Sequence, residues 1–115
     1  MRYLLLISTH EEAIEAQSAE ETTSMLAGYV AFGEEMGRRG VLRSGERLRP
    51  TTDATTVRVR AGEVLVADGP FAETKEQVGG YYLVDCRDLD EAIEVASKIP
   101  AAGHGTIEVR PIWEP

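Results

Sequence analysis

The sequence predicts an α+β fold: a mostly antiparallel sheet with two helices on one face and an inserted β-hairpin. Three observations carry this. Two segments show helical apolar spacing between clear start and stop signals. Short strand-like segments stand before, between and after them. The connections are short, and a chain of 115 residues makes one domain.

The first strand is "RYLLLIS", Arg2 to Ser8, a continuous apolar run with polar bounds, as expected of an interior strand. Thr9 to Gln17 reads as a loop with a helical turn. Ser18-Ala19-Glu20-Glu21 has the form of a capping box. Met25, Tyr29, Phe32 and Met36 then recur at helical spacing, widened by Leu26 and Val30. Arg38 and Arg39 suit the negative end of the helix dipole, and Gly40 suits the cap beyond it. The first helix is therefore expected from Ala19 to Arg39. Gly28, Gly33 and Gly37 lie inside it; Gly33 and Gly37 share a face, where another backbone could approach or where packing is simply light.

Val41 to Leu48 reads as a strand ended near Pro50. "TTVRVR", Thr55 to Arg60, alternates cleanly, and Ala61-Gly62 turns it into "EVLVA", Glu63 to Ala67. Val78 to Cys86 is a further strand. Asp88 and Glu91 mark the start of the second helix as N-cap and capping-box partner. Its expected stripe is Leu89, Ala92, Ile93, Ala96 and Ile99, and Pro100 ends it. Thr106 to Ile112 is the last strand, with Pro111 pointing to an edge. This order is that of a ferredoxin-like sandwich. Two helices cover only one sheet face, so the other face is expected to pack against a second copy in a homodimer.

The composition, 43% hydrophobic and 28% charged, is that of a globular protein. A net charge of -8 argues against nucleic acid as a partner. The arginines Arg38, Arg39, Arg43, Arg47 and Arg49 read as local compensation for flanking acids. Cys86 is the only cysteine, which fits a reducing cytoplasm and a small buried apolar role. The apolar run Leu4 to Ile7 is too short for a signal sequence or a membrane span, so no membrane association is expected.

The corner "DGPFAETKEQVGGYYLVD" concentrates chemistry. Asp68-Gly69-Pro70-Phe71 reads first as a turn: the Asp68 carboxylate accepts backbone N–H groups, Gly69 takes unusual dihedrals, Pro70 fixes the exit and Phe71 plugs the core edge. Asp68 also suits a pocket acid. Lys75 stands among Glu73 and Glu76, either as solvated surface or as an anion ligand. Tyr81 and Tyr82 point to opposite faces of their strand, one to the core and one to a pocket or dimer seam. His104, in a glycine-flanked turn, suits proton transfer or plain exposure. Arg110 shares a strand face with Glu108 and suits a cross-strand ion pair or a carboxylate clamp. Asp68, Phe71, Lys75, Tyr81, Tyr82, His104 and Arg110 are thus the expected pocket residues. His10, Glu11 and Glu12 lack metal-ligand spacing, and no metal or cofactor is expected.

With "DLDEAIEVASKIP" and "GTIEVRPIWE", this corner resembles the DGPF branch of the YCII-related family along nearly the whole chain. The resemblance implies a dimeric ferredoxin-like fold, also called a dimeric α+β barrel, and no established reaction. Genes of this branch often sit beside those for extracytoplasmic-function sigma factors. The better-studied YCII-type relatives carry a proposed His–Asp pair, with histidine on the first helix and aspartate before the proline after the second. Here the first helix has no histidine and Ile99 precedes Pro100. No catalytic assignment is carried over. Two readings of function follow: a homodimer with a small-molecule pocket near the Asp68 corner, or a non-catalytic regulatory module.

Overall fold

β1, Arg2–Thr9, takes the centre of a four-stranded sheet, where its apolar run is covered on both flanks. The computed structural model describes residues 1–115. After β1 come α1 (Glu11–Glu15), α2 (Ala19–Arg38), β2 (Leu42–Arg47), β3 (Thr55–Arg60), β4 (Glu63–Asp68), β5 (Gln77–Asp85), α3 (Leu89–Ser97) and β6 (Thr106–Pro111). Two 3₁₀ turns, Thr51–Asp53 and Pro100–Gly103, interrupt the connections. The sheet order is β2-β5-β1-β6, antiparallel throughout. β2 and β6 are free edges, so one chain closes no barrel. β3 and β4 form a separate two-stranded sheet.

Strand alternation separates two faces of the sheet. Tyr3, Leu5 and Ile7 of β1 point into the core. The register sets Leu5 between Tyr82 and Val109, and Tyr3 between Val84 and Pro111. On the other face Leu4 lies between Leu83 and Arg110, and Leu6 between Tyr81 and Glu108. These leucines are half-buried, and no helix covers them.

α2 starts as its sequence signal requires: Glu21 N–H donates to Ser18 Oγ and Ser18 N–H donates to the Glu21 carboxylate, both at 3.1 Å. It ends in a Schellman cap, where Val41 N–H reaches Met36 O and Gly40 N–H reaches Gly37 O. Phe32 and Met36 are its buried residues, while Leu26 and Val30 are exposed. The close approach occurs at neither Gly33 nor Gly37, around which nothing would meet a Cβ within 4 Å. It occurs at Gly28, where a Cβ would lie 3.2 Å from Pro100 Cγ, which lets α2 settle on the second 3₁₀ turn.

α3 departs from expectation in two respects. Asp88 caps it, accepting from Glu91 N–H at 2.9 Å, but the Glu91 carboxylate accepts from Arg87 N–H, one residue before the cap. The buried stripe is Ala92, Val95, Ala96 and Ile99, with Leu89 and Ile93 about half exposed. The buried Glu91 explains the rotation. Its carboxylate lies 2.6 Å from Arg87 and 3.6 Å from Arg39, and Arg39 also grips Glu94 through a fork of 2.9 and 2.7 Å. These ion pairs turn the Glu91 side inward at the α2–α3 seam and turn Leu89 and Ile93 out. Cys86 is buried beside this seam, and burial raises its thiol pKa.

The seam predicts an acid response. Hydrogen bonds from Lys98 to Glu35 and from Arg39 to Glu94 hold both carboxyls below the ordinary value of 4.5. A carboxyl depressed in the folded state contributes stability above its unfolded pKa and loses it as the pH falls through its folded pKa. Urea midpoints should therefore fall as the pH is lowered below 4.5, and Arg39→Gln should flatten that fall.

Candidate functional site

A cleft of about 660 Å³ opens where α1, the first half of α2, the end of β2, the start of β5 and the second 3₁₀ turn converge. Each wall has a local cause. A bulge between Ile7 and Ser8 shifts β1 against β5 and leaves Gly79 without a partner on β1. Glu11 of α1 accepts from Thr51 N–H at 2.9 Å and from Thr51 Oγ1 at 2.7 Å, which ties the segment after β2 to the helix. Gly105 N–H donates to Ala101 O at 2.6 Å and holds the turn that carries His104.

The floor is aromatic and apolar. Tyr82 points to the helix side of the sheet, with its ring centroid 4.8 Å from that of Phe32. The ring lies across Gly45 of edge strand β2, which faces it in register. A Cβ on Gly45 would sit 2.7 Å from Tyr82 Cε1 and 3.0 Å from Tyr81 O. Tyr29 of α2 shares the cleft. Burial raises both phenols above their ordinary pKa; the neighbouring Tyr29 adds to the rise at Tyr82, while Ala101 and Arg47 offset it at Tyr29. Both phenols therefore stay neutral donors at physiological pH. Gly45→Ala is expected to push the Tyr82 ring off its strand, costing about 1–3 kcal/mol as an overpacking change. Shifted Tyr82 ring resonances, together with a lower thermal midpoint, would show it.

The structure divides the residues expected to share a pocket. Tyr82, Tyr81 and His104 border the cleft. Tyr81 does so from a position that alternates with Tyr82 and pairs with Leu6 on the uncovered face. Arg110 lies on that opposite face, 3.7 Å from Glu108, as a surface ion pair. Lys75 is exposed and lines no described hollow. The Asp68 corner is a turn held by other groups than expected. Gly69, at φ 95°, donates its N–H to Ala54 O at 2.7 Å, and Thr56 Oγ1 donates to Gly69 O at 2.7 Å. The Asp68 carboxylate accepts no hydrogen bond. Phe71 does not plug the core; it is 82% exposed. With Pro70 it borders a second depression of about 430 Å³, which shares only Leu48 and Arg49 with the cleft.

A model of the YCII-related domain matches residues 1–115. The chain belongs to that family. It is also 43% identical over 114 residues to an uncharacterized protein of Rhizobium meliloti (strain 1021), covering 97% of this chain and 92% of that protein. In this YCII-related domain the cleft residues that sequence reasoning passed over are Glu11, Tyr29 and Arg47. Arg47 was readable in principle, because it shares strand parity with Gly45, and a lone glycine in an edge strand marks a place where something crosses close to the backbone. No helix is long and apolar enough to cross a membrane.

Proposed function

We propose that this YCII-related domain is a homodimeric small-molecule-binding protein of the DGPF branch, cytoplasmic, with ferredoxin-like topology and its ligand site in the cleft between α1, α2, β2 and β5. The cleft itself carries the reading: a concave hollow of about 660 Å³, floored by Tyr29 and Tyr82 and rimmed by charge, has the size and lining of a ligand site. The strand order β2-β5-β1-β6, with α2 and α3 as crossovers, supports the topology. A single buried free cysteine fits a reducing compartment.

Surface area supports the dimer. The chain exposes 7826 Å², whereas a folded monomer of 12.6 kDa is expected to expose about 6,200 Å². The excess, about 1,600 Å² per chain, is what an extensive interface would remove. Leu4, Leu6, Tyr81 and Leu83 on the uncovered sheet face offer its centre. Native mass spectrometry of protein purified gently from its own source tests both parts. A mass of two chains with added small-molecule mass supports the proposal; a bare monomer overturns the assembly.

One observation favours the second reading, a non-catalytic interaction module. The β3–β4 hairpin packs on little else, and one of its faces presents Val57, Val59, Val64 and Val66, each about 60% exposed. An isolated hairpin is marginally stable in water, so an apolar face on one calls for a protein surface. Deleting the hairpin separates the readings: ligand binding in the cleft should survive, while partner binding should not.

A further inference from the structure

We infer that the cleft takes a small carboxylic acid with an apolar or aromatic body, its carboxylate gripped by Arg47 and its body lying over Tyr29 and Tyr82. This rests on reading the cleft as a ligand site, and it names the class of molecule that site selects.

Arg47 closes β2 opposite Gly80, and in an alternating strand it therefore projects to the same side as Gly45, over which Tyr82 lies. It lines the same cleft as Tyr29. Three neighbouring arginines have acidic partners: Arg39 has Glu94, Arg43 has Asp85, and Arg49 has Asp53. Arg38 ends α2 away from the cleft. Arg47 makes no ion pair and no hydrogen bond. It is the one unpaired guanidinium on the cleft wall.

The acids of the lining do not neutralise it. Glu11 spends both carboxylate oxygens on Thr51. Glu46 pairs with Tyr81, so its side chain alternates to the uncovered face. Glu15 lines the cleft and is exposed, as Arg47 is, but makes no ion pair with it. An unpaired guanidinium fork above an apolar floor matches a carboxylate in geometry and charge, and a planar fork binds the two oxygens in parallel. A phosphate would call for a second free guanidinium or ammonium; the other one on the wall, Arg49, is already paired with Asp53. A cationic ligand would meet Arg47 with no free carboxylate at the floor. Because the whole chain carries a charge of -8, a preference for an acid would have to arise locally.

Isothermal titration of the full-length protein with phenylacetate, phenylacetamide and phenethylamine tests this. The three probes share a body and differ in charge. Phenylacetate should bind about 10-fold or more tighter than the amide. Arg47→Gln should bring the acid down to the level of the amide and leave the amide unchanged. Arg58→Gln, the same charge change on the exposed hairpin, should alter neither. Equal binding of acid and amide, tighter binding of the amine, or an acid preference that survives Arg47→Gln overturns the carboxylate assignment while the cleft stands as a binding site. If none of the probes binds or shifts the Tyr29 and Tyr82 ring resonances, the reading of the cleft as a ligand site falls with it.

Discussion

Leu5→Ala should destabilise the folded chain by about 2–5 kcal/mol, whereas Leu4→Ala, one residue earlier on the same strand, should cost the dilute chain about 1 kcal/mol. Leu5 is fully buried on the central strand between Tyr82 and Val109, and its neighbours cannot collapse fully into the space the lost isopropyl group leaves. Leu4 is half-buried on the face that no helix covers. Urea midpoints read both effects. The same pair of variants reports on assembly. If the uncovered face is the dimer interface, Leu4→Ala should weaken self-association and make the midpoint fall more steeply on dilution than in the parent. Equal losses for the two variants in dilute monomer would mean that the two faces of β1 are wrongly assigned.

Gly105→Ala should be nearly as damaging, at about 1–3 kcal/mol or more, despite adding one methyl group. The added Cβ would run into Ser8 O, and would lie 3.1 Å from Thr9 Cγ2 and 3.3 Å from Ala101 O. Two of these are backbone oxygens in hydrogen-bonded segments, which cannot swing aside as a side chain would. The turn that carries His104 must then lift from the end of β1, and the cleft loses that wall. A thermal scan alongside titration of the carboxylate probe reads both consequences. Alanine tolerated without loss of midpoint or affinity would show that the turn moves freely. Gly103→Ala is the control, because nothing lies within 4 Å of its Cβ position.

Much of the fold was legible along the chain because its signals are local. Ser18 with Glu21, Gly40 after Arg39 and Asp88 before Leu89 act within a turn of themselves, and each sits where its capping chemistry requires. The alternation of Thr55 to Arg60, read against Glu63 onward, is likewise a near-neighbour pattern and yields the observed hairpin register. The stripe of α3 was less legible. Leu89 and Ile93 look like core by hydropathy, yet the Arg39–Glu91–Arg87 contacts draw a glutamate inward in their place. Arg39 is far from α3 in sequence, so no local pattern could announce that.

The site was legible only in part. Tyr82 and His104 could be named because a tyrosine pair on one strand must split between faces, and a histidine between glycines must lie in a turn. Asp68, Phe71 and Lys75 drew notice as a cluster of reactive residue types. That cluster belongs to a corner built from Gly69, Ala54 and Thr56, which needs neither the carboxylate nor the ring.

By itself the sequence determined, to within about two residues, where α2, α3 and the strands begin and end, that they form an antiparallel sheet, and that the chain is a YCII-related domain; the short helix α1 was read only as a loop with a helical turn. Those features depend on residues within a few positions of one another, or on patterns spread along the whole chain. Tertiary structure alone decided which hollow is large enough to hold a molecule, which arginine is left without a partner inside it, and which glycine lets an aromatic ring lie flat. These are settled by distances between residues far apart in the chain: Gly45 meets Tyr82, and Glu11 meets Thr51, only when β2, β5, α1 and α2 have packed, and Arg47 and Tyr29 then line one cleft.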